Sequence, residues 1–277
     1  MSLTGMGRPI VPKEHGAWAV LFGAFLAGVG VAGQVTLPVL LFLVGITGAA
    51  FANGPLAILA RWPAGQAQVE RQRHALAWFL AYGCVAMAAF APLFLVYRMT
   101  FLLPFGMGAA FFLLLRVYLV RERDERTLSG ELAGTAVLTM VGAAAHAVAV
   151  VGVQAVGAVI WLLLFLFFAS GVFYVRMRVH GMVAMRKAAG TAPNPARWPC
   201  VLYHTLLIIV IPALLLARVV PWPVVFAFAP ALWRAATGLG KAETRLDLKR
   251  LGWSEVAVAT AFVFLLIAAF RFTPHTG

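Results

Sequence analysis

Charge is what this sequence has least of. Asp, Glu, Lys and Arg make up only 11% of its 277 residues, against 63% hydrophobic. A soluble domain of this length needs far more polar residues to cover its surface, so that class is excluded. Cysteine is nearly absent. Cys84 falls deep inside one apolar run and Cys200 at the edge of another, which excludes a disulfide framework. There is no phosphate-binding glycine loop, GxSxG, HExxH or CxxC, and His146 and His204 lack a second ligand at helical spacing, so no metal site is expected. No polar segment is long enough to hold a second fold, and residues 1–277 read as one integral membrane domain.

Apolar runs of about 18 residues or more are what is there, each long enough to cross a hydrocarbon core of roughly 30 Å. The runs predict an all-α polytopic membrane protein, a bundle of about nine transmembrane helices. Expected spans are 16–33, 37–60, 75–97, 101–120, 131–152, 157–175, 199–220, 222–239 and 253–271. The eighth is short, holds Pro230 and carries Arg234 inside. Gly23, Gly28, Gly45 and Gly48 allow close helix contact.

The formal charge is +13, with 22 Lys and Arg against nine Asp and Glu. Its distribution argues for membrane orientation rather than nucleic acid. The connections alternate: 34–36, 98–100, 153–156 and 221 are very short, while 61–74, 121–130, 176–198 and 240–252 are longer and charged. With the N-terminus on the side of the charged connections, only Arg98, Arg218 and Arg271 of the 22 basic residues lie opposite, leaving nineteen together. The positive-inside rule then predicts an inner (cytoplasmic) membrane protein with a cytoplasmic N-terminus and an outer C-terminus. Arg8 and Lys13 ahead of the first run imitate a signal peptide, but that run has the length of a span and more follow.

Pro12-Lys13-Glu14-His15-Gly16-Ala17-Trp18 stands at the entrance to the first span. Glu14 and His15 beside an apolar segment are candidates for a catalytic acid/base pair. The same residues also suit a plain helix start, where a carboxylate meets the positive end of the dipole and Trp18 anchors at the interface.

The run Lys13-Glu14-His15-Gly16-Ala17-Trp18 resembles the opening of the YwiC-like membrane proteins, a bacterial group without an assigned activity. Gly130-Glu131-Leu132 and the arginine-rich end of span six extend the likeness. The layout of nine spans, with enlarged loops after spans two and six, also resembles the UbiA prenyltransferase superfamily. That resemblance implies a prenyl diphosphate held through magnesium by Asp-rich motifs in those loops. Here Asn53 stands at the end of span two, but the acids expected at positions 57 and 61 are Ala57 and Arg61. After span six, Arg176, Arg178 and His180 again offer cations where acids are expected.

Magnesium prefers oxygen ligands, so these loops do not suit it. Asn53, Arg61, Arg71, Arg73, Arg116, Arg176, Arg178 and His180 suit direct binding of an anion by charge-assisted hydrogen bonds, with no cofactor. The competing reading makes the arginines topology signals that meet lipid headgroups. Arg116, inside the end of span four, either snorkels to the interface or pairs with Glu131. Residues 241–250 alternate charge at helical spacing and read as solvated surface. The expected function is a membrane-embedded enzyme or lipid-binding protein for an amphipathic anion, an isoprenoid among them, at the cytoplasmic face. Its partners are membrane lipids, not nucleic acid. A permease for a small anion or metabolite, or a non-catalytic membrane partner, stays open beside it.

Overall fold

The computed structural model describes residues 8–12, 15–60, 66–121, 127–187, 194–240 and 246–273. Among them are nine α-helices and no strand: α1 (His15–Ala32), α2 (Leu37–Leu59), α3 (Gln66–Leu95), α4 (Leu103–Arg121), α5 (Leu128–Ala149), α6 (Ala155–Lys187), α7 (Arg197–Leu216), α8 (Val224–Leu239) and α9 (Leu248–Phe272). Six of these, α2, α3, α5, α6, α7 and α9, are long and apolar enough to cross a membrane. The apolar stretches Gly16–Ala32, Thr100–Leu115 and Val224–Leu239 are shorter.

Helix order follows the apolar runs, but two helices overshoot them. α3 begins at Gln66, nine residues before the expected span, and α6 continues twelve residues past it to Lys187. The cause is local. Glu70, Arg71, Gln72 and Arg73, like Arg176 to Lys187, include good helix formers and no proline. Hydropathy marks where lipid ends, whereas backbone hydrogen bonding continues until something stops it. Arg71, Arg73, Arg176, Arg178 and His180 therefore ride on helical turns rather than on loops.

α1 lies between two layers and serves each with a different face. Leu21, Phe25 and Val29, spaced by four, join a core with Val39, Phe42 and Ile46 of α2 and Ala145 and Val148 of α5. Ala24 and Ala27 turn the other way into a second core with Leu163 and Phe167 of α6, Phe228 of α8 and Phe262 of α9. Phe167 and Phe262 stack with centroids 3.8 Å apart.

α1 crosses α5 at Gly28 and Gly142, so closely that a Cβ on Gly28 would collide with the Gly142 carbonyl oxygen. α2 and α3 do the same at Gly48, where a Cβ would stand 3.0 Å from the Ala86 nitrogen. Lipid supplies no hydrophobic drive between helices, so close backbone approach and van der Waals contact hold such pairs.

The short connections share a device. Gly33, Arg98, Val151 and Arg218 all take positive φ, between 55° and 71°. At Val151 and Arg218 the next amide returns to the helix: Gly152 N–H donates to the Ala147 carbonyl at 2.9 Å and Val219 N–H to that of Leu214 at 3.0 Å. These are helix stops built on a left-handed residue. The longer charged connections begin helices by side-chain capping instead. Thr127 Oγ1 accepts from Gly130 N–H at 3.3 Å, and Asp247 accepts from the Lys249 and Arg250 amides at 3.0 Å.

Candidate functional site

The sequence-predicted site residues divide between the layers. Glu14 and Arg61 lie outside the described residues. His15 opens α1 as expected, and Arg116 lies on α4; the side chains of both are outside what the structure describes. Arg71 and Arg73 are exposed on the first turns of α3, which packs along α2. Asn53 is half-buried on α2, with a buried Oδ1 that has no hydrogen-bond partner.

Around Asn53 the chain before α1 folds back over the helices. The Ile10 carbonyl accepts from Tyr82 Oη–H at 3.4 Å, and the Arg8 carbonyl lies 3.1 Å from His74 Nε2. Gly54 leaves room for Pro12, which a Cβ there would touch at 3.4 Å. Trp18 stacks on Phe22 and meets Phe51 at 4.9 Å, and Phe51 meets Tyr82 at 5.3 Å. Trp18 is thus a packing residue among helices rather than a lone interfacial anchor.

Arg176, Arg178 and His180 follow one another along α6 but face different partners. Arg176 pairs with Glu131 of α5 at 3.0 Å, the acid that the sequence also offered to Arg116. His180 Nδ1 lies 2.8 Å from the Arg176 carbonyl of its own helix. Arg178 Nη1 donates to Tyr174 Oη at 3.2 Å, with its Cζ 5.9 Å from the ring centroid.

Tyr174 leads inward to residues that sequence reasoning missed. Arg234 of α8 is only 7% exposed, and its Cζ lies 4.7 Å from the Tyr174 centroid. Its Nη1 pairs with Glu255 Oε2 of α9, and its Nη2 donates to Ser170 Oγ at 3.1 Å. Ser170 donates in turn to the Phe167 carbonyl at 2.6 Å. Gly238 and Gly171 make room: a Cβ on Gly238 would collide with the Tyr174 ring, and one on Gly171 would stand 3.3 Å from Glu255 Oε2.

Arg234 Nε and Glu255 Oε1 remain buried without a partner. Beside them, His204 of α7 turns Nδ1 to the Cys200 carbonyl at 2.8 Å and leaves Nε2 buried and unpartnered. Met177, Cys200 and Leu251 close over Tyr174.

The signal for this pair was in the sequence. An arginine inside one apolar run, Arg234, and a glutamate inside the next, Glu255, are complementary charges. Ions taken out of water survive only when paired and hydrogen-bonded, so two such residues on neighbouring helices predict each other. Chemically the cluster holds two guanidiniums on one aromatic ring, the buried one paired with a carboxylate. Among the described residues no three His, Cys, Asp or Glu gather as metal ligands do.

Apolar helices of membrane-crossing length, packed in two layers with charge mostly beyond their apolar parts, define a multi-pass integral membrane protein in contact with membrane lipids. The model of the family described as YwiC-like protein matches residues 11–146, and over that stretch, just under half of its length, the chain is similar to that family. The match begins just before the Lys13–Trp18 motif and ends at His146, short of the Arg234–Glu255 cluster. No curated protein and no solved structure matches the chain.

Proposed function

We propose that this protein binds an anionic amphipathic molecule at the charged end of its bundle, with the headgroup against Arg178 and Arg234 and the apolar tail among the helices. The observation that carries the reading is the sharing of Tyr174 by those two guanidiniums, one half-buried and one buried. Beside that ring Arg234 also keeps a buried N–H without a partner. Arginine presents a rigid fork to phosphate or carboxylate oxygens, and in low dielectric such bonds gain strength. Arg71 and Arg73 add attraction at the same end. Glu14, His15, Asn53, Arg61, Arg116 and His180 belong to the proposal as residues of that face, Glu14 and His15 as its acid/base candidates.

In this reading all nine helices cross the membrane, with the charged connections in the cytoplasm. Cysteines placed at Lys249 and at Gln154, after both native cysteines are changed to alanine, test that orientation. The first should react with an impermeant maleimide only after lysis and the second in intact cells. The reverse pattern inverts the topology and removes the cytoplasmic face from the proposal.

Binding is tested by titrating the detergent-purified protein with dodecyl phosphate. It should persist in excess chelator and weaken as salt rises, because charge pairs with water access are screened over about 8 Å at physiological ionic strength. Arg178→Ala should weaken it about tenfold, and Arg178→Lys should recover little, since a point charge does not replace a fork. Binding that requires magnesium, or an unaffected Arg178→Ala, overturns the reading.

A carrier reading is favoured by one observation: the Arg234–Glu255 pair lies between apolar helices, where ionisable residues mark substrate and ion paths. Efflux of the amphiphile from proteoliposomes, abolished by Glu255→Gln, would select it over a static binding or enzyme site.

A further inference from the structure

At the end of the bundle away from the charged connections, α4, α5 and α6 leave a cavity of about 220 Å³. Its wall includes Phe105 of α4, Ala143 and Ala147 of α5, and Gly157, Ala158 and Trp161 of α6. Trp161 does not offer its N–H to the space, because Nε1 donates to the Ala136 carbonyl at 2.9 Å. The wall is apolar but for Gln154 at the turn between α5 and α6.

Behind it stands His146, 3% exposed, with Nδ1 buried and unpartnered. Gly157 separates the two, and only by lacking a side chain: a Cβ there would stand 3.7 Å from His146 Nδ1 and 3.6 Å from the Ala143 carbonyl oxygen. The missing methyl leaves only Gly157 backbone between the cavity and the histidine, a gap that a small shift of α6 would open into a window.

We propose that this cavity is a second site, independent of the anion site, for a neutral apolar molecule carrying one hydrogen-bonding oxygen that reaches His146 past Gly157. An imidazole inside a bundle without a partner is costly, which argues for an occupant that supplies one. Water is a poor candidate. It typically makes about three hydrogen bonds, and beside the window only His146 Nδ1 and the Ala143 carbonyl stand near. A charged headgroup is a poor candidate as well, since the wall holds no counter-ion. The volume lies below the roughly 300–1,000 Å³ of pockets that engulf drug-sized ligands. It therefore takes the oxygen-bearing end of a longer molecule, whose tail runs out along the exposed apolar side chains of α4, Met107, Phe111 and Leu114.

Farnesol and the hydrocarbon of the same skeleton without the hydroxyl are the probes, titrated against the full-length protein in detergent with radiolabelled ligand. Wild type should bind farnesol saturably and prefer it to the hydrocarbon by roughly tenfold, the worth of one hydrogen bond in a dry site. Gly157→Ala closes the window; its methyl makes only ordinary contacts, so the fold should survive, and the preference should vanish. Ala158→Phe fills the cavity and should abolish binding of both probes. His146→Leu, monitored for folding by its melting temperature, should act like Gly157→Ala. Failure of wild type to bind farnesol saturably, or a Gly157→Ala protein that keeps the preference, overturns the proposal. Dodecyl phosphate binding unchanged in Gly157→Ala would show the two sites to be separate; its loss in that variant would sink their independence.

Discussion

The layer built from α2 to α5 and the layer built from α6 to α9 bury similar apolar side chains but are held by different means. In the first, small residues bring backbones together, at Gly28 against Gly142 and Gly48 against Ala86, and rings fill the gaps, as with Phe42 against Phe90. In the second, stacked phenylalanines pack around one buried ion pair, Arg234 with Glu255, supported by Ser170 and Tyr174. The difference teaches where a site belongs. Close packing at glycine is a complete answer to stability in lipid, whereas a buried ion pair is a poor one. Apolar residues of the same volume often serve stability as well or better. A pair retained under those terms, with an N–H and an oxygen left over, points to use.

The comparison breaks first at Glu255. Glu255→Ala leaves Arg234 buried without its counter-charge and should cost about 3–5 kcal/mol in SDS-titration unfolding. Replacing the pair together, Arg234→Met with Glu255→Leu, should restore most of that stability while losing amphiphile binding. A single Glu255→Ala that unfolds like wild type would show that the second layer does not depend on the pair.

Next in size is Gly28→Val. Backbone stands where the side chain would go, and helices move apart less readily than a side chain turns, so a loss of about 1–3 kcal/mol is expected. Gly83→Ala is the control, since nothing lies within 4 Å of a Cβ there, and it should not destabilise. Equal losses at both positions would mean that helix propensity rather than close approach is being measured.

Val151→Gly should act in the opposite direction. A β-branched residue at φ 55° is strained, and glycine removes a penalty of about 1 kcal/mol while keeping the turn. A raised melting temperature checks it, and a lowered one would mean that the valine side chain packs at the turn.

The smallest effect is expected at Glu131→Gln. Its ion pair with Arg176 joins the layers through α5 and α6, but the side chains are 36% and 25% exposed. Pairs so open to water and salt contribute under about 1 kcal/mol. A larger loss, insensitive to salt, would make this pair part of the core.

Much of this architecture was legible in the residues. The order of all nine helices follows from apolar runs, and His15 opens α1 where the Pro12–Trp18 motif suggested. Helix lengths were not legible for α3 and α6, because hydropathy reports lipid depth and says nothing of where backbone bonding stops. Arg71 and Arg73 near the start of α3 and Arg176, Arg178 and His180 toward the end of α6 were read in the sequence as one anion-binding set. In the structure Arg176 turns to Glu131 and Arg178 to Tyr174. One helix aims residues two positions apart about 200° from each other, and sequence adjacency hides that. Arg234 was visible only as an anomaly, since its meaning lay in a residue 21 positions later on another helix.

By itself the sequence determined the solvent, the helix order and the gathering of basic residues in alternate connections. Each depends on composition over a window of residues, which no folding event alters. Only the tertiary structure decided which faces of α1 serve which layer, which glycines meet backbone, and that Arg178, Tyr174, Arg234 and Glu255 form one chain of contacts. Those are pairings between distant positions, set by how helices rotate and cross when small residues let them approach. The buried charge that looked like a defect in one helix thus acquires its partner only when the next helix packs against it.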